Sequence, residues 1–316
     1  MGNNLKLVAG NSNPGLAQEI SDYLDIPLCR AAIDQFPDGE TSVHIRETVR
    51  GEDVFVIQST GPPANEHYME LFLIIDALRR ASAKRVTVVM PYFGYARQDR
   101  KFIGRVPISA KLVANFLETA GADRVLTLDL PAGQIQGFFD IPADNLRIDP
   151  ILADYFAQVE YMDEGDTVIV APDVGAAKRA SAVSERLGLP YAIVEKARKS
   201  EQTGQVEARH IIGDVEGKRA VIVDDILATG GTVAAATEML VQQGAREVDA
   251  AFSHGIFAGD CLRKLEQSSL SEVIVTNTIA APDSDKITTL SVAQSFAETI
   301  NRIHMGRSVS ELFPHY

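Results

Sequence analysis

Short apolar runs alternate along the chain with longer segments whose apolar residues recur at helical spacing. In the first half, four runs rich in valine are typical of buried parallel strands: "LKLVAG" (5–10), "DVFVIQS" (53–59), "RVTVVMPY" (85–92) and "RVLTLDL" (124–130). Segments with the apolar spacing of a helix lie between them, at 67–82 and 108–121. Asn13 followed by Pro14 indicates the start of a further helix.

The second half repeats this rhythm. Its predicted strands cover 167–173, 191–197, 220–226, 247–257 and 272–278, and its clearest predicted helix covers 231–245. Strands alternating with helices predict an α/β fold with two similar domains, each a mostly parallel sheet flanked by helices. The carboxyl ends of such strands meet at one edge of the sheet, where ligands bind.

The domain boundary is expected near 145–150, around "DNLRIDP". This gives an N-terminal domain over 1–147 and a C-terminal domain over 148–316, with the last residues expected to pack on the N-terminal domain. The polar segment 198–210 is the least patterned part of the chain and is expected to be a mobile loop.

The composition limits the classes of molecule that the protein is expected to bind. The 316 residues carry a formal net charge of −13, which disfavours broad contact with nucleic acid but leaves room for a local basic pocket. No apolar run has the length of a membrane span, and the N terminus resembles neither a secretory signal nor a myristoylation site. The two cysteines, Cys29 and Cys261, are expected to be reduced thiols in a cytoplasmic protein.

The strongest local signal is "VIVDDILATGGT" (221–232). An apolar strand ends in Asp224 and Asp225, and a loop of small residues then opens a helix. That loop consists of Ala228, Thr229, Gly230, Gly231 and Thr232. Glycines let backbone N–H groups converge on an anion, and the helix N terminus adds positive potential. The two acids suit sugar hydroxyls or a metal ion.

This loop resembles the phosphoribosyl-pyrophosphate loop of type I phosphoribosyltransferases. Further segments are similar to the ribose-phosphate pyrophosphokinase family over essentially the whole chain: "FPDGE" (36–40), "PYFGYARQDRK" (91–101), "AGQIQGFFDIPADNL" (132–146) and "IIGDVEGK" (211–218). The resemblance implies a type I phosphoribosyltransferase-like fold in both domains. It also implies transfer of the β,γ-diphosphoryl group of MgATP to the 1-hydroxyl of ribose 5-phosphate, with Mg²⁺ as cofactor.

The resemblance assigns roles residue by residue. The resemblance implies that Phe36, Asp38 and Glu40 approach the adenine of ATP bound by a neighbouring subunit, since family members form homohexamers. Arg97, Gln98 and Arg100 contact ATP, and clustered guanidinium groups suit polyphosphate. The remaining matches are the metal ligand Asp173, the catalytic pair Lys196 and Arg198, and the ribose-phosphate site at Asp224, Asp225 and 228–232.

Three positions depart from the family pattern. Pro131 occupies the place of a histidine that helps to bind the ATP phosphates and the metal, and proline has no side chain that can replace it. Ala197 replaces the middle arginine of a Lys-Arg-Arg run, and Ala228 replaces an acid at the start of the ribose-phosphate loop. Each lost charge-assisted contact to a transition state is worth a rate factor of about 10²–10³.

These losses leave two hypotheses. The chain is an active synthetase with a modified site, or it is a catalytically impaired paralogue that regulates an active synthetase or joins it in mixed hexamers. A phosphoribosyltransferase acting on a nucleobase is a third interpretation, but it does not explain the duplicated architecture or "PYFGYARQDR". Arg50, Ser82 and Ser308 lie in segments that match the family's site for ADP or phosphate.

Overall fold

The structure is a computed structural model that describes residues 5–158, 165–195 and 210–312. The contacts between residues divide the chain into two units. The first unit comprises the described residues of Met1–Arg147, Thr278–Ala280 and Ser291–Tyr316, and the second those of Ile148–Asn277 and Ala281–Leu290. The domain limits 1–147 and 148–316 remain predictions.

The described residues form fourteen strands and eight α-helices. The strands are β1 (Leu5–Ala9), β2 (Ala31–Gln35), β3 (Thr41–Ile45), β4 (Asp53–Ile57), β5 (Arg85–Met90), β6 (Arg124–Leu128), β7 (Ala143–Leu146), β8 (Thr167–Ala171), β9 (Tyr191–Glu195), β10 (His210–Ile212), β11 (Arg219–Leu227), β12 (Glu247–Gly255), β13 (Val273–Thr276) and β14 (Ile287–Leu290). The helices are α1 (Pro14–Leu24), α2 (Ala64–Arg80), α3 (Ser109–Ala120), α4 (Asp149–Phe156), α5 (Ala177–Leu187), α6 (Gly231–Gln242), α7 (Cys261–Gln267) and α8 (Ala293–His304). Short 3₁₀ helices cover Gly133–Phe138, Val174–Ala176 and Ser310–Leu312.

Each unit is built on a parallel sheet. In the first unit the strand order is β1-β4-β5-β6-β7, and every pairing is parallel. In the second unit the order is β10-β9-β8-β11-β12-β13-β14, and only β10, at one edge, runs antiparallel to its neighbour. The predicted α/β fold with two mostly parallel sheets flanked by helices is therefore confirmed.

The central strands follow their sequence pattern closely. All five residues of β4 and all five of β8 are buried, as expected where helices cover both faces of a parallel sheet. The predicted start of α1 is also confirmed, because the Asn13 side chain accepts a hydrogen bond from the Leu16 N–H at 3.2 Å and Pro14 is the first helical residue.

A separate antiparallel hairpin, β2–β3, lies outside the five-stranded sheet of the first unit. It was not predicted, because its strands are half-exposed and contain no continuous apolar run. Ile33, Val43 and Ile45 on one side of the hairpin pack against the buried core of the unit. The hairpin therefore has a fixed base, and its tip projects from the core.

The chain returns to the first unit through α8, which packs on α1. Phe296 and Ile300 on α8 are fully buried. At the end of the helix, His304 Nδ1 lies 2.8 Å from Asp53 Oδ2, and Arg85 Nε donates to the other oxygen of Asp53 at 2.7 Å. α8 thus contributes buried side chains to the same unit as β1 and α1.

Two further predictions concern single features. Cys29 and Cys261 are both buried and neither forms a disulfide. In the described ranges, no helix has both the length and the apolar content needed to cross a membrane.

Candidate active site

In the first unit the candidate ATP residues lie on the loop that follows β5. Gly94 is a buried residue of this loop, and its N–H donates to Thr60 Oγ1 at 2.8 Å while its carbonyl accepts from the Tyr68 hydroxyl at 2.7 Å. A Cβ at Gly94 would come within 2.5 Å of the Thr60 carbonyl oxygen, so only glycine fits. Tyr95 then adopts φ +64°, a left-handed conformation that is uncommon for a tyrosine. The start of this loop is therefore held in one conformation.

Arg97, Gln98 and Arg100 are exposed on this loop. Gln98 is fixed by Ser109, whose hydroxyl donates to Gln98 Oε1 at 2.5 Å. The Arg100 guanidinium lies over the Phe102 ring, 4.8 Å from its centroid, in a cation–π contact. Exposed guanidinium groups on a braced loop can meet the phosphates of a nucleotide without first breaking a buried ion pair.

The turn after β6 carries Pro131. Asp129, two residues earlier, is buried with φ +53°, its N–H donates to the Leu146 carbonyl at 2.8 Å, and its carboxylate lies 3.9 Å from Arg147 Nε. Pro131 follows at a half-buried position. The turn is thus strongly constrained, although its third residue offers no hydrogen-bonding side chain.

The structure brings this turn together with the loop after β5. Gln134 Nε2 donates to Asp99 Oδ2 at 2.9 Å, which joins the 3₁₀ helix beyond Pro131 to the residue between Gln98 and Arg100. The two segments follow neighbouring parallel strands, β5 and β6. The position of the missing histidine therefore belongs to the same surface as the candidate ATP residues.

Phe36, Asp38 and Glu40 form the tip of the β2–β3 hairpin. The tip is closed by backbone hydrogen bonds from Phe36 to Glu40 and from Gly39 to Phe36, both 2.8 Å, and Gly39 takes φ +92°. Phe36 is 53% exposed, and the Glu40 N–H donates to Asp38 Oδ1 at 3.2 Å within the tip. An aromatic ring held in water on a rigid turn suits contact with another molecule.

In the second unit, Asp173 follows β8 and begins a 3₁₀ helix. Its Oδ1 accepts from the Gly175 N–H at 2.9 Å and the Ala176 N–H at 3.3 Å. β8 pairs with β11, so Asp173 lies at the same sheet edge as the residues that follow β11. The capping bonds fix the direction of the carboxylate.

Asp224 and Asp225 lie near the end of β11. The Asp225 N–H donates to Asp224 Oδ1 at 2.9 Å. Burial and the neighbouring charge of Asp225 raise the pKa of Asp224 to about 7, and the charge of Arg179 on α5 partly opposes this shift. At neutral pH the pair therefore holds less than two full negative charges, and it can both donate to and accept from a sugar hydroxyl.

The loop from Ala228 to Thr232 joins β11 to α6. Gly230 takes φ +73° at the N-cap of α6, and a Cβ there would lie 3.3 Å from Cys261 Sγ. No side chain of the described residues caps this helix. Its first N–H groups and the partial positive charge of the helix N terminus can interact with an anion, and the anion site itself stays a prediction.

A cavity of about 190 Å³ adjoins this helix start. It is lined by Pro172, Val194, Gly231, Thr232, Ala235, Ala236 and Met239. The residues that line it are apolar apart from Thr232. The cavity is therefore an apolar pocket beside the start of α6.

Three residues singled out from the sequence, Lys196, Ala197 and Arg198, lie outside the described residues. Within the described ranges, no group of three or more histidine, cysteine, aspartate or glutamate side chains is arranged to hold a metal ion. The carboxylates of Asp173, Asp224 and Asp225 have the oxygen donors that Mg²⁺ prefers, and Mg²⁺ commonly takes one or two carboxylates together with substrate phosphates and water. The donor set is compatible with a cation that arrives on a nucleotide.

The sequence analysis did not identify the residues that hold the candidate site residues in place or influence their charge. Arg179 lies near Asp224, Gln134 fixes Asp99, and the Lys264 ammonium donates to the Thr229 carbonyl at 3.1 Å. The basic "AAKRA" stretch (176–180) that opens α5 is a signal for Arg179. Gln134 and Lys264 have no local signal, because their partners are 35 residues away in each case.

The two parallel sheets and the loop from 228 to 232 define the class of protein: a type I phosphoribosyltransferase-like fold with two units. Two family models match the chain, "N-terminal domain of ribose phosphate pyrophosphokinase" over residues 5–121 and "Phosphoribosyl synthetase-associated domain" over 210–314. A protein of Halalkalibacterium halodurans named ribose-phosphate pyrophosphokinase is 51% identical over 313 residues, which is 98% of each chain. One of Agrobacterium fabrum with the same name is 50% identical, covering 98% of this chain and all of its own.

The crystal structure of phosphoribosylpyrophosphate synthetase from Mycobacterium smegmatis matches with a TM-score of 0.90 and 41% identity, covering 96% of this chain and 99% of that one. The chain belongs to the ribose-phosphate pyrophosphokinase family. The matched relatives carry the name of the enzyme, so they give no support to the alternative of a non-catalytic paralogue.

Proposed function

We propose that this protein transfers the β,γ-diphosphoryl group of ATP to the 1-hydroxyl of ribose 5-phosphate, giving phosphoribosyl pyrophosphate and AMP for nucleotide biosynthesis in the cytoplasm. The observation that carries this proposal is the full-length similarity to named ribose-phosphate pyrophosphokinases, 51% over 98% of the chain. In the reaction, the 1-hydroxyl oxygen bonds to the β-phosphorus while the bond from that phosphorus to the AMP oxygen breaks. The hydroxyl proton passes to water.

The second unit is proposed to bind ribose 5-phosphate. Gly230, with φ +73°, lets the loop from 228 to 232 turn its backbone into the uncapped start of α6, where the 5-phosphate is bound. Asp224 and Asp225, a few residues earlier on β11, accept hydrogen bonds from the ribose hydroxyls. Thr229 and Thr232 add hydroxyl donors to the phosphate.

The first unit is proposed to bind ATP. Arg97, Gln98 and Arg100 contact the nucleotide phosphates from the braced loop after β5. The exposed tip of the β2–β3 hairpin, with Phe36, Asp38 and Glu40, serves the adenine of a neighbouring subunit. This assignment requires an oligomer, and we propose a homohexamer.

Catalysis is proposed to rest on charge stabilisation. Asp173 would hold Mg²⁺ together with phosphate oxygens of ATP, and the ion would spread the negative charge of the transferred group. Lys196 and Arg198 stabilise the charge that develops on that group. The protein's own contribution is therefore mainly positioning and positive charge, since diphosphoryl transfer needs little covalent chemistry from side chains.

The purified full-length chain tests the proposal directly. With MgATP and ribose 5-phosphate we expect AMP and phosphoribosyl pyrophosphate to form in equal amounts. Replacing Arg97 with Met is expected to lower kcat/KM for ATP by about 100-fold, since a charged contact to the phosphates is lost. Arg80→Met is the matched control, because Arg80 is an exposed arginine on α2 paired with Asp76. Absence of AMP formation at high enzyme concentration would contradict the proposal.

The oligomer is tested separately by light scattering. A homohexamer has six times the 34.3 kDa mass of the chain. A fully active monomer would contradict the assignment of Phe36 to a neighbouring subunit's adenine.

A further inference from the structure

Two hydrogen bonds join the loop from 228 to 232 to the segment from 258 to 264. The Ala258 N–H donates to the Ala228 carbonyl at 2.8 Å, and the Lys264 ammonium donates to the Thr229 carbonyl at 3.1 Å. Two successive carbonyls of the loop are thereby tied to the segment that contains α7. One of these ties is a backbone bond and the other depends on a single side chain.

Tying a carbonyl also orients the N–H of the next residue. A trans peptide is planar and holds its C=O and N–H in opposite directions. The bond to Lys264 therefore directs the Gly230 N–H away from α7, and the bond to Ala258 does the same for the Thr229 N–H. Two neighbouring N–H groups directed to one side form the kind of concave anion site that backbone nests provide.

The support behind Lys264 is itself rigid. Cys261, at the start of α7, is fully buried and lies close to Gly230. Leu265 is also buried, and at the other end of α7 the Lys286 ammonium donates to the carbonyls of Leu265 and Ser268 at 3.2 and 3.3 Å. Lys264 thus projects from a helix anchored at both ends.

Within the described ranges, the Lys264 ammonium is not shared with an acidic side chain. It forms no ion pair with an acidic side chain of the described residues, whereas its neighbour Arg263 pairs with Asp260 at 2.6 Å. Lys264 is half-buried as a residue and its bond to the Thr229 carbonyl lies at the surface; a charged donor holds a carbonyl more strongly than a neutral donor would.

We propose that Lys264 is a positioning residue for the ribose-phosphate site: it fixes the Thr229–Gly230 peptide so that the Gly230 N–H faces the 5-phosphate. This inference rests on the proposed function, since it concerns the same loop. It adds a residue that contacts the loop from behind and does not contact the substrate.

The test is direct binding of ribose 5-phosphate, without ATP, to the full-length protein by isothermal titration calorimetry. We expect Lys264→Met, which keeps the aliphatic stem, to raise Kd about tenfold, the effect of losing one charge-assisted hydrogen bond. Lys264→Arg keeps a cationic donor and is expected to stay within about threefold of the parent. Arg263→Met is the matched control on the same helix and is expected to bind like the parent.

Steady-state kinetics supply the second readout. Lys264→Met is expected to raise KM for ribose 5-phosphate with KM for ATP unchanged, and the midpoint of thermal unfolding is expected to stay close to that of the parent. If Lys264→Met fails to fold, Lys264→Gln gives the same comparison with a shorter neutral side chain. An unchanged Kd, an equal loss in Lys264→Arg, or a parent protein that binds no ribose 5-phosphate would overturn the inference. A parent that binds ribose 5-phosphate but forms no AMP would instead overturn the proposed function and leave the calorimetric comparison intact.

Discussion

Pro131 shows how much one side chain can change at a site whose backbone is preserved. The turn that carries it is held by Asp129 and Leu130, whose N–H groups donate to Leu146 and Asn145. It is joined to the candidate ATP loop through Gln134 and Asp99. A histidine side chain at position 131 would thus enter an already formed surface, and the backbone would not need to move.

Restoring the histidine is therefore expected to increase activity. For Pro131→His we expect kcat/KM for ATP to rise at least about tenfold, because a donor to the phosphates is regained while Ala197 and Ala228 remain. Steady-state AMP formation measures the change. Ala132→His places the same side chain one residue further on and serves as the control; an equal gain in both variants would show that position 131 has no special role.

The raised pKa of Asp224 makes the stability of the folded protein depend on pH, and the direction of the shift determines whether stability rises or falls with pH. Burial and the charge of Asp225 raise its pKa from 3.8 to about 7. An acid whose pKa is raised on folding contributes stability below its unfolded pKa, and this contribution is lost as pH rises through the folded value. The wild-type protein is therefore expected to lose stability between about pH 4 and pH 7 relative to a variant that cannot ionise there.

Asp224→Asn is expected to be more stable than the parent at pH 8 by on the order of 2 kcal/mol, with the difference disappearing near pH 4. Thermal unfolding at a series of pH values measures it. Glu238→Gln removes an exposed carboxylate from α6 and is expected to show no such trend. A stability difference for Asp224→Asn that is the same at every pH would contradict the assigned cause.

At the scale of elements, the conformation of the loop between β11 and α6 depends on Gly230 more than on Gly231. Gly230 has φ +73° and a Cβ there would lie 3.3 Å from Cys261 Sγ, whereas a Cβ at Gly231 would meet nothing closer than Thr229 Oγ1 at 4.0 Å. Gly230→Ala is expected to cost about 1–2 kcal/mol of stability and to weaken ribose 5-phosphate binding.

Gly231→Ala is the matched control, since alanine is favourable inside a helix and Gly231 begins α6. Chemical denaturation compares the two variants. Equal stability losses in Gly230→Ala and Gly231→Ala would show that the left-handed conformation at Gly230 is not what fixes the loop.

The elements that sequence could predict are those with a strong local pattern. β4, β5, β6 and β11 each contain a mainly apolar run, and the burial of that run follows from its composition. The candidate site residues lie at the ends of these strands. The sequence therefore predicts that the loop from 228 to 232 follows Asp224 and Asp225 at the end of β11.

Other elements depend on contacts distant in sequence. β7 has the sequence "ADNL" and pairs with β6 through the backbone, so its apolar content does not identify it. The brace at Lys264 likewise joins residues 35 positions apart, and a lysine on a short helix has no sequence pattern that marks it. Hydrophobic periodicity reports burial of an element but not which loop a polar side chain will reach.

At the scale of the whole molecule, the last helix contributes to the core of the first unit. Phe296 on α8 is fully buried in that unit. Phe296→Ala is expected to cost about 3–5 kcal/mol through lost burial and the cavity left behind. Hydrogen exchange is expected to become faster in α1, which packs on α8, and not in α6 of the second unit.

Gln294→Ala changes an exposed residue of the same helix and is expected to leave both stability and exchange unchanged. If Phe296→Ala accelerated exchange in α6 as much as in α1, the division into two units by contacts would not describe the molecule's local stability.

The return of the chain to its first unit also has a consequence for synthesis on the ribosome. Domains generally fold in the order in which they emerge. Here β1 emerges before the second unit, yet the unit it belongs to lacks α8 until the ribosome has passed His304. All described residues of the second unit, which end at Leu290, are synthesised before that point. Of the two units, the one whose first residues emerge earlier is therefore the one whose core is completed later.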